Sequence, residues 1–186
     1  ALEEYLTFQY SVLPETFFKG IFKLPPAHSI LFKDGEVDIQ RYWEPDYDID
    51  ENVDLDELVD KIDAQMAESV ETHMISDVEV GSLLSSGIDS SYIATISKAD
   101  KTFTVGFDYD KFNEISYAKD LSEKIGTQNF SKLITEEEYW SVLPEIQYYM
   151  DEPLADASCV ALYFVDQTAA EHVKVVLSGE GADEFF

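Results

Sequence analysis

The stretch Val80-Gly81-Ser82-Leu83-Leu84-Ser85-Ser86-Gly87-Ile88-Asp89-Ser90-Ser91 constrains the chain most. An apolar run stops at small and hydroxyl residues, and a helix-compatible run, Tyr92 to Ile96, follows. That pattern reads as strand, tight turn and helix start. Such a turn aims backbone N–H groups, the positive end of the new helix and several serine hydroxyls at one point, which suits a phosphate or pyrophosphate. Gly/Ser turns are also common in parallel-sheet proteins as plain connections. Asp89 favours the ligand reading, because a carboxylate in the first helical turn can hold Mg²⁺ against phosphates. The Lys of a Walker-type loop and the three glycines of a dinucleotide turn are both absent.

From Val78 onward the apolar period alternates between strand and helix. Strands are expected over Val78–Leu84, Thr102–Phe107, Asn129–Ile134 and Val173–Leu177. Helices are expected over Ser90–Ser97, Ser116–Ile125, Thr135 or Glu136 to Tyr149, and about Ser158–Glu171. Alternation of this kind predicts an α/β fold, a parallel sheet with helices on both faces. Ligands of open parallel sheets sit beyond the carboxyl ends of the strands, which is where Ser85–Asp89 and Ser178–Asp183 would both lie. On one sheet edge, Asp89 and Asp183 come within range of a shared Mg²⁺. Ser85, Ser86, Ser90 and the loop amides are then left for pyrophosphate oxygens. Glu180 and Glu184 beside Gly179 and Gly181 can take a proton from an attacking amine or hold metal; the plainer role for Glu180 is to cap a helix starting near Gly181.

The segment before this sheet has a different character. Ala1 to Tyr10 carries a short helical pattern that Pro14 ends, and Phe17, Phe18, Ile21, Phe22 and Leu24 make a dense apolar patch that calls for a cover. His28–Lys33 and Glu36–Trp43 flank Asp34-Gly35, a hairpin signal. His28, with no second ligand at metal spacing, reads as structural. The acidic stretch Pro45–Asp56 is the boundary, and Asn52 or Asp54 can cap a helix whose apolar stripe is Leu55, Leu58, Val59, Ile62, Met66 and Val70. The expected division is residues 1–50 as a lead-in of helix plus β-hairpin, and residues 51–186 as the α/β domain that carries the candidate loops.

Composition narrows the partners. With 39 acidic against 12 basic residues and a net charge of −27, the chain lacks the Lys/Arg patch that nucleic acid requires, and an anionic nucleotide would need a divalent metal. At 45% hydrophobic residues it nevertheless folds. Cys159 is the only cysteine, so neither a disulfide framework nor a Cys/His zinc cluster is available. No apolar stretch reaches membrane length and no cleavable signal is visible, so no membrane is expected as a partner and a cytoplasmic setting is.

Two motifs carry a resemblance. Ser85-Ser86-Gly87-Ile88-Asp89-Ser90 resembles the Ser-Gly-Gly-x-Asp-Ser loop of the ATP pyrophosphatase (PP-loop) group, with Ser86 where that loop has its middle Gly. Val175-Val176-Leu177-Ser178-Gly179-Glu180-Gly181-Ala182-Asp183-Glu184 resembles the second signature of asparagine synthetases. Tyr5-Leu6-Thr7-Phe8-Gln9-Tyr10, Leu24-Pro25-Pro26-Ala27-His28 and Arg41-Tyr42-Trp43 are similar to that family's connection between glutaminase and synthetase domains, and Phe103-Thr104-Val105-Gly106-Phe107 to its strand beside adenine. The resemblance implies an adenine nucleotide alpha hydrolase-like fold. It also implies that Leu83 and Val105 present backbone to the adenosine, that Ser178 and Gly179 hold the AMP part, and that pyrophosphate leaves into the loop of Ser85, Ser86, Gly87, Ser90 and Ser91.

The implied reaction is adenylation of the aspartate side-chain carboxylate by ATP with Mg²⁺, then attack by ammonia delivered from a glutaminase domain. Asp89 and Glu180 are the candidate catalytic residues, and Asp89 and Asp183 the candidate metal ligands. The family's glutaminase half begins with a nucleophilic Cys, whereas this sequence begins at Ala1 and runs to Phe186, just past the second signature. The expectation is therefore a piece of a larger enzyme, inactive by itself, with a homodimer as one way of covering the lead-in patch. Rival readings are a β-lactam synthetase-like or peptide-cyclising ligase, a tRNA-modifying PP-loop enzyme, disfavoured by the missing basic surface, and a non-catalytic nucleotide-binding module.

Overall fold

The structure is a computed structural model and describes residues 2–49, 52–109 and 113–184. Expectations that touch Ala1, residues 50 and 51, and Phe185-Phe186 lie outside the described residues. The chain divides into two compact units, residues 1–53 with 147–156, and residues 54–146 with 157–186.

The first unit contains α1 (Leu2–Phe8) and an antiparallel hairpin of β1 (His28–Lys33) and β2 (Glu36–Arg41). Lys33 pairs with Glu36, so Asp34 and Gly35 alone form the turn, with φ of +54° and +86°. That is the left-handed pair a two-residue hairpin demands. Strand β2 ends at Arg41, short of the expected Trp43. The Nδ1 of His28 lies 2.8 Å from the Pro26 carbonyl. Lys23 pairs with Glu152, and the Gln147 side chain both donates to and accepts from the Leu154 backbone. The aromatic patch is exposed rather than covered, Phe18 and Phe22 by 59% and 64%.

The second unit begins with α2 (Leu55–His73), capped by Asp54, whose carboxylate accepts from the Asp56 and Glu57 N–H groups. It continues β3 (Val80–Leu83), α3 (Ile88–Ser97), β4 (Lys101–Phe107), α4 (Ile115–Ile125), β5 (Gln128–Ile134), α5 (Glu136–Tyr149, of which residues 136–146 belong to this unit), α6 (Ser158–Ala170) and β6 (Val175–Leu177). The sheet order is β5-β4-β3-β6, all parallel. The two-residue period of β4 explains the layers. Phe103 and Val105 face α6, in a core with Val165 and Ala169. Thr102 and Thr104 face the other way, and Thr102 hydrogen-bonds Ser122 of α4. Helices α3 and α4 close that second face through Leu84, Ala94 and Ala118.

Several expected boundaries move. Strand β3 starts at Val80, because Val78 is exposed and unpaired in the ladder. Leu84 lies past the strand's end, yet its N–H still donates to the Phe103 carbonyl at 2.8 Å. Val173 is buried but belongs to the turn leaving α6, where its N–H bonds Ala169, and β6 begins only at Val175. The chain visits β3 before β4 and β5 on one side, then crosses back to place β6 on the other. Loops after β3 and β6 therefore diverge at a topological switch point, where open α/β sheets bind ligands.

Candidate functional site

A cavity of about 520 Å³ opens at the carboxyl ends of β3, β4 and β6. Its floor is apolar: Leu83, Phe103, Val105 and Phe107 from the strands, with Leu162 and Val165 from α6. Its other end is polar, made by Ser85, Gly87, Asp89 and Ser90 on one side and by Ser178 to Glu184 on the other. A second cavity, about 670 Å³, lies against α2 and α3 and is mostly apolar. The first is the candidate site because the hydroxyls, helix-terminal amides and carboxylates converge there.

The turn after β3 is held by its own side chains. Ser90 Oγ accepts from the Ser85 N–H at 3.1 Å and lies 2.7 Å from Ser85 Oγ, and Ser85 Oγ accepts from the Gly87 N–H at 3.1 Å. The Ser86 N–H donates to Glu114 Oε2 at 3.0 Å. Ser86 is not among the residues with positive φ, so a serine there carries no left-handed strain. Gly87, at φ −71° and ψ 151°, is the N-cap of α3. The loop amides are thus committed within the protein. The N–H groups of Ile88, Asp89 and Ser90, in the first turn of α3, are the ones an incoming anion can take.

The structure places the sequence-derived residues unequally. Leu83, Val105, Ser85, Gly87, Asp89 and Ser90 line the cavity, as do Ser178, Gly179, Glu180 and Asp183. Ser86 and Ser91 do not. Ser91 Oγ donates to the Gly87 carbonyl at 2.7 Å and lies 3.3 Å from Tyr117 Oη of α4. Ser178 Oγ accepts from the Glu180 N–H at 3.1 Å, so this hydroxyl shapes its own loop. Residues 180–184 form turns and a bend, and a helix starting near Gly181 would run into residues outside the described ones. Glu114, absent from the sequence-based list, also lines the cavity.

The electrostatics are one-sided. Asp89, Glu114, Glu180, Asp183 and Glu184 line the cavity, and among the described residues no Lys, Arg or His lines it with them. A polyanion entering such a site needs accompanying cations. Hard carboxylate oxygens suit Mg²⁺, which keeps several waters and binds through one or two carboxylates plus phosphates. Asp89 and Asp183 fit that donor set, and no group of three or more His, Cys, Asp or Glu forms a ready cage among the described residues. No described helix is long and apolar enough to cross a membrane.

An open parallel α/β sheet with helices on both faces and a crevice at its switch point together define an α/β domain of the doubly wound class. The model of the asparagine synthase family matches residues 61–186. The chain belongs to the asparagine synthase family. It is 40% identical, over its full length, to asparagine synthetase [glutamine-hydrolyzing] 1 of Bacillus subtilis. It is also 40% identical to a putative asparagine synthetase [glutamine-hydrolyzing] of Mycobacterium tuberculosis and, over 92% of its length, 28% identical to the amidase chry2 of Gibberella zeae. The chain spans about 30% of the length of these first two relatives and 29% of the third.

Proposed function

We propose that this chain is the nucleotide-binding part of a glutamine-dependent asparagine synthetase, an ATP-dependent carbon–nitrogen ligase. The observation that carries the reading is the single cavity that joins an apolar slot, over Leu83 and Val105, to a polar end at the start of α3. An adenine fits the first part and phosphates the second. Residues 51–186 form the start of the ATP-binding domain in this reading, and residues 1–50 lead in from a glutaminase domain that supplies ammonia. The setting is cytoplasmic, and a homodimer would cover the exposed aromatic patch.

The proposed chemistry has two displacements. An aspartate side-chain oxygen attacks the α-phosphorus of ATP, and the bond to the β-phosphate breaks to release pyrophosphate. Ammonia then attacks the acyl carbon, the bond to AMP breaks, and the excess proton passes to a carboxylate, for which Glu180 is placed at the cavity wall. Leu83 and Val105 border the adenosine, and Ser178 and Gly179 the AMP phosphate. The start of α3 receives the pyrophosphate with Ser85 and Ser90 bracing its loop. Asp89 and Asp183 would hold Mg²⁺, which when bound neutralises phosphate charge. On this reading the five carboxylates of the cavity wall call for balancing cations, and the isolated 186 residues are incompetent.

The test is exchange of labelled pyrophosphate into ATP by the full-length protein. Aspartate-dependent exchange supports the reading. Exchange that requires a different carboxylic acid would assign the chain to a β-lactam synthetase-like or peptide-cyclising ligase, and ATP binding without exchange would make it a non-catalytic module.

A further inference from the structure

Among the hydrogen bonds of Ser85, Ser86 and Gly87 in the β3–α3 turn, that of Ser86 comes from far along the chain. Ser85 and Gly87 are held by neighbours within five residues, whereas Ser86 is held by Glu114, 28 residues away. Glu114 stands at the start of α4 as its N-cap, and its carbonyl accepts from the N–H of the fully buried Ala118 at 3.1 Å. The Asn113 side chain accepts from the Ile115 N–H at 3.1 Å. This segment sits directly on β4: a Cβ added to Gly106 would come within 2.8 Å of Asn113 Oδ1 and 3.0 Å of Ile115 Cγ1. The bare Gly106 therefore lets the start of α4 come down far enough for Glu114 to reach Ser86. One turn further along, Tyr117 reaches Ser91.

We propose that Glu114 is a positioning residue of this site: by holding the Ser86 amide it fixes the β3–α3 turn, and so keeps the first-turn amides of α3 aimed at the pyrophosphate position. The proposal rests on reading the cavity as a pyrophosphate site. It assigns no contact between Glu114 and ligand. A carboxylate here adds repulsion to an already acidic cavity, and its compensating contribution is a charge-assisted hydrogen bond to a loop that has little else to order it at Ser86. The role needs an acceptor at that place, which a neutral amide oxygen also supplies.

The experiment uses the full-length protein with Mg²⁺ and inorganic pyrophosphate as the probe. It reads hydrogen exchange at residues 85–87 and the pyrophosphate Kd in Glu114→Ala, Glu114→Gln and Gly106→Ala. Glu114→Ala should speed exchange at Ser86 and weaken pyrophosphate binding, each by about five- to tenfold, the effect of losing one hydrogen bond to a charged group at a partly solvated position. Glu114→Gln should stay within about twofold of wild type, because its side-chain oxygen can accept the same bond. Gly106→Ala should follow Glu114→Ala, since it lifts the base on which Glu114 stands. The inference is overturned by Glu114→Ala matching wild type in either readout, by its binding pyrophosphate more tightly, or by Glu114→Gln behaving like Ala. A wild-type protein that binds no Mg-pyrophosphate would instead overturn the reading of the cavity itself, and this inference with it.

Discussion

Gly179 lies so close to the backbone of Ser90 that a Cβ added to it would fall 2.7 Å from the Ser90 nitrogen and 3.0 Å from the Asp89 carbonyl carbon. The two signature loops, separated by almost the whole sheet domain, thus meet backbone to backbone at the start of α3. Neither atom belongs to a flexible side chain, so neither can give way. Gly179→Ala should force the 178–184 loop off α3 and weaken Mg-ATP binding by tenfold or more, with about 1–3 kcal/mol lost in stability from overpacking. Gly126→Ala is the control, because Gly126 ends α4 at φ +77° with no atom within 4 Å of the added Cβ. That variant should lose about 1 kcal/mol in melting experiments and bind Mg-ATP as wild type does. Equal binding by both variants would show that the loop contact is unimportant.

The serines of the first loop should separate by role. Ser90 Oγ takes the Ser85 N–H and meets Ser85 Oγ. Ser90→Ala leaves that amide without its partner and should raise the KM for ATP several-fold, from a loss of about 1 kcal/mol. Ser91 turns its hydroxyl back to the Gly87 carbonyl, so Ser91→Ala should keep KM within about twofold. Steady-state kinetics of the two variants check this, and a larger effect from Ser91 would mean that its hydroxyl swings into the cavity when nucleotide binds.

These serines also mark how far the sequence could be read. Strand, turn and helix start were legible because apolar runs and small residues are local signals, and β3, β4 and β6 are parallel neighbours of one sheet, as that pattern required. Which serine lines the cavity was not legible. Consecutive residues Ser90 and Ser91 point to different sides of a helix, and Ser91 prefers a back-bond to the carbonyl four residues earlier, a choice that pattern does not encode. Glu114 was invisible for a different reason. Its contact depends on Gly106 lacking a side chain and on the packing of α4, both tertiary facts. The density of Phe17, Phe18, Ile21 and Phe22 predicts a covered patch, and these side chains are exposed.

A metal dependence is expected from the five carboxylates that line the cavity. Asp89→Asn or Asp183→Asn should raise the Mg²⁺ concentration needed for half-maximal pyrophosphate exchange by tenfold or more, while leaving melting temperature nearly unchanged, since both side chains are exposed. An unshifted Mg²⁺ titration in both variants would mark them as ordinary surface acids.

The last prediction concerns acid stability at the start of α5. Thr135 and Glu138 form a reciprocal cap: the Glu138 N–H donates to Thr135 Oγ1 at 3.2 Å, and the Thr135 N–H donates to Glu138 Oε2 at 2.9 Å. Lys132, the neighbour on β5, pairs with the other carboxylate oxygen. The Lys132 bond first, and the Thr135 amide second, pull the Glu138 pKa down to about 2. An unfolded glutamate titrates near about 4.3, so the unfolded chain binds this proton at a higher pH than the folded one. The stabilisation is therefore fully present above about pH 4.3 and is lost as pH falls toward about 2. Urea midpoints of wild type and Glu138→Gln, measured from pH 6 down to pH 2, should differ most at pH 6 and converge at the acid end. The gap should also narrow with added salt, because the cap is solvent-facing and screened. A gap that stays constant across this range would mean that Glu138 acts through shape and its neutral hydrogen bonds, and that its charge contributes nothing to the fold.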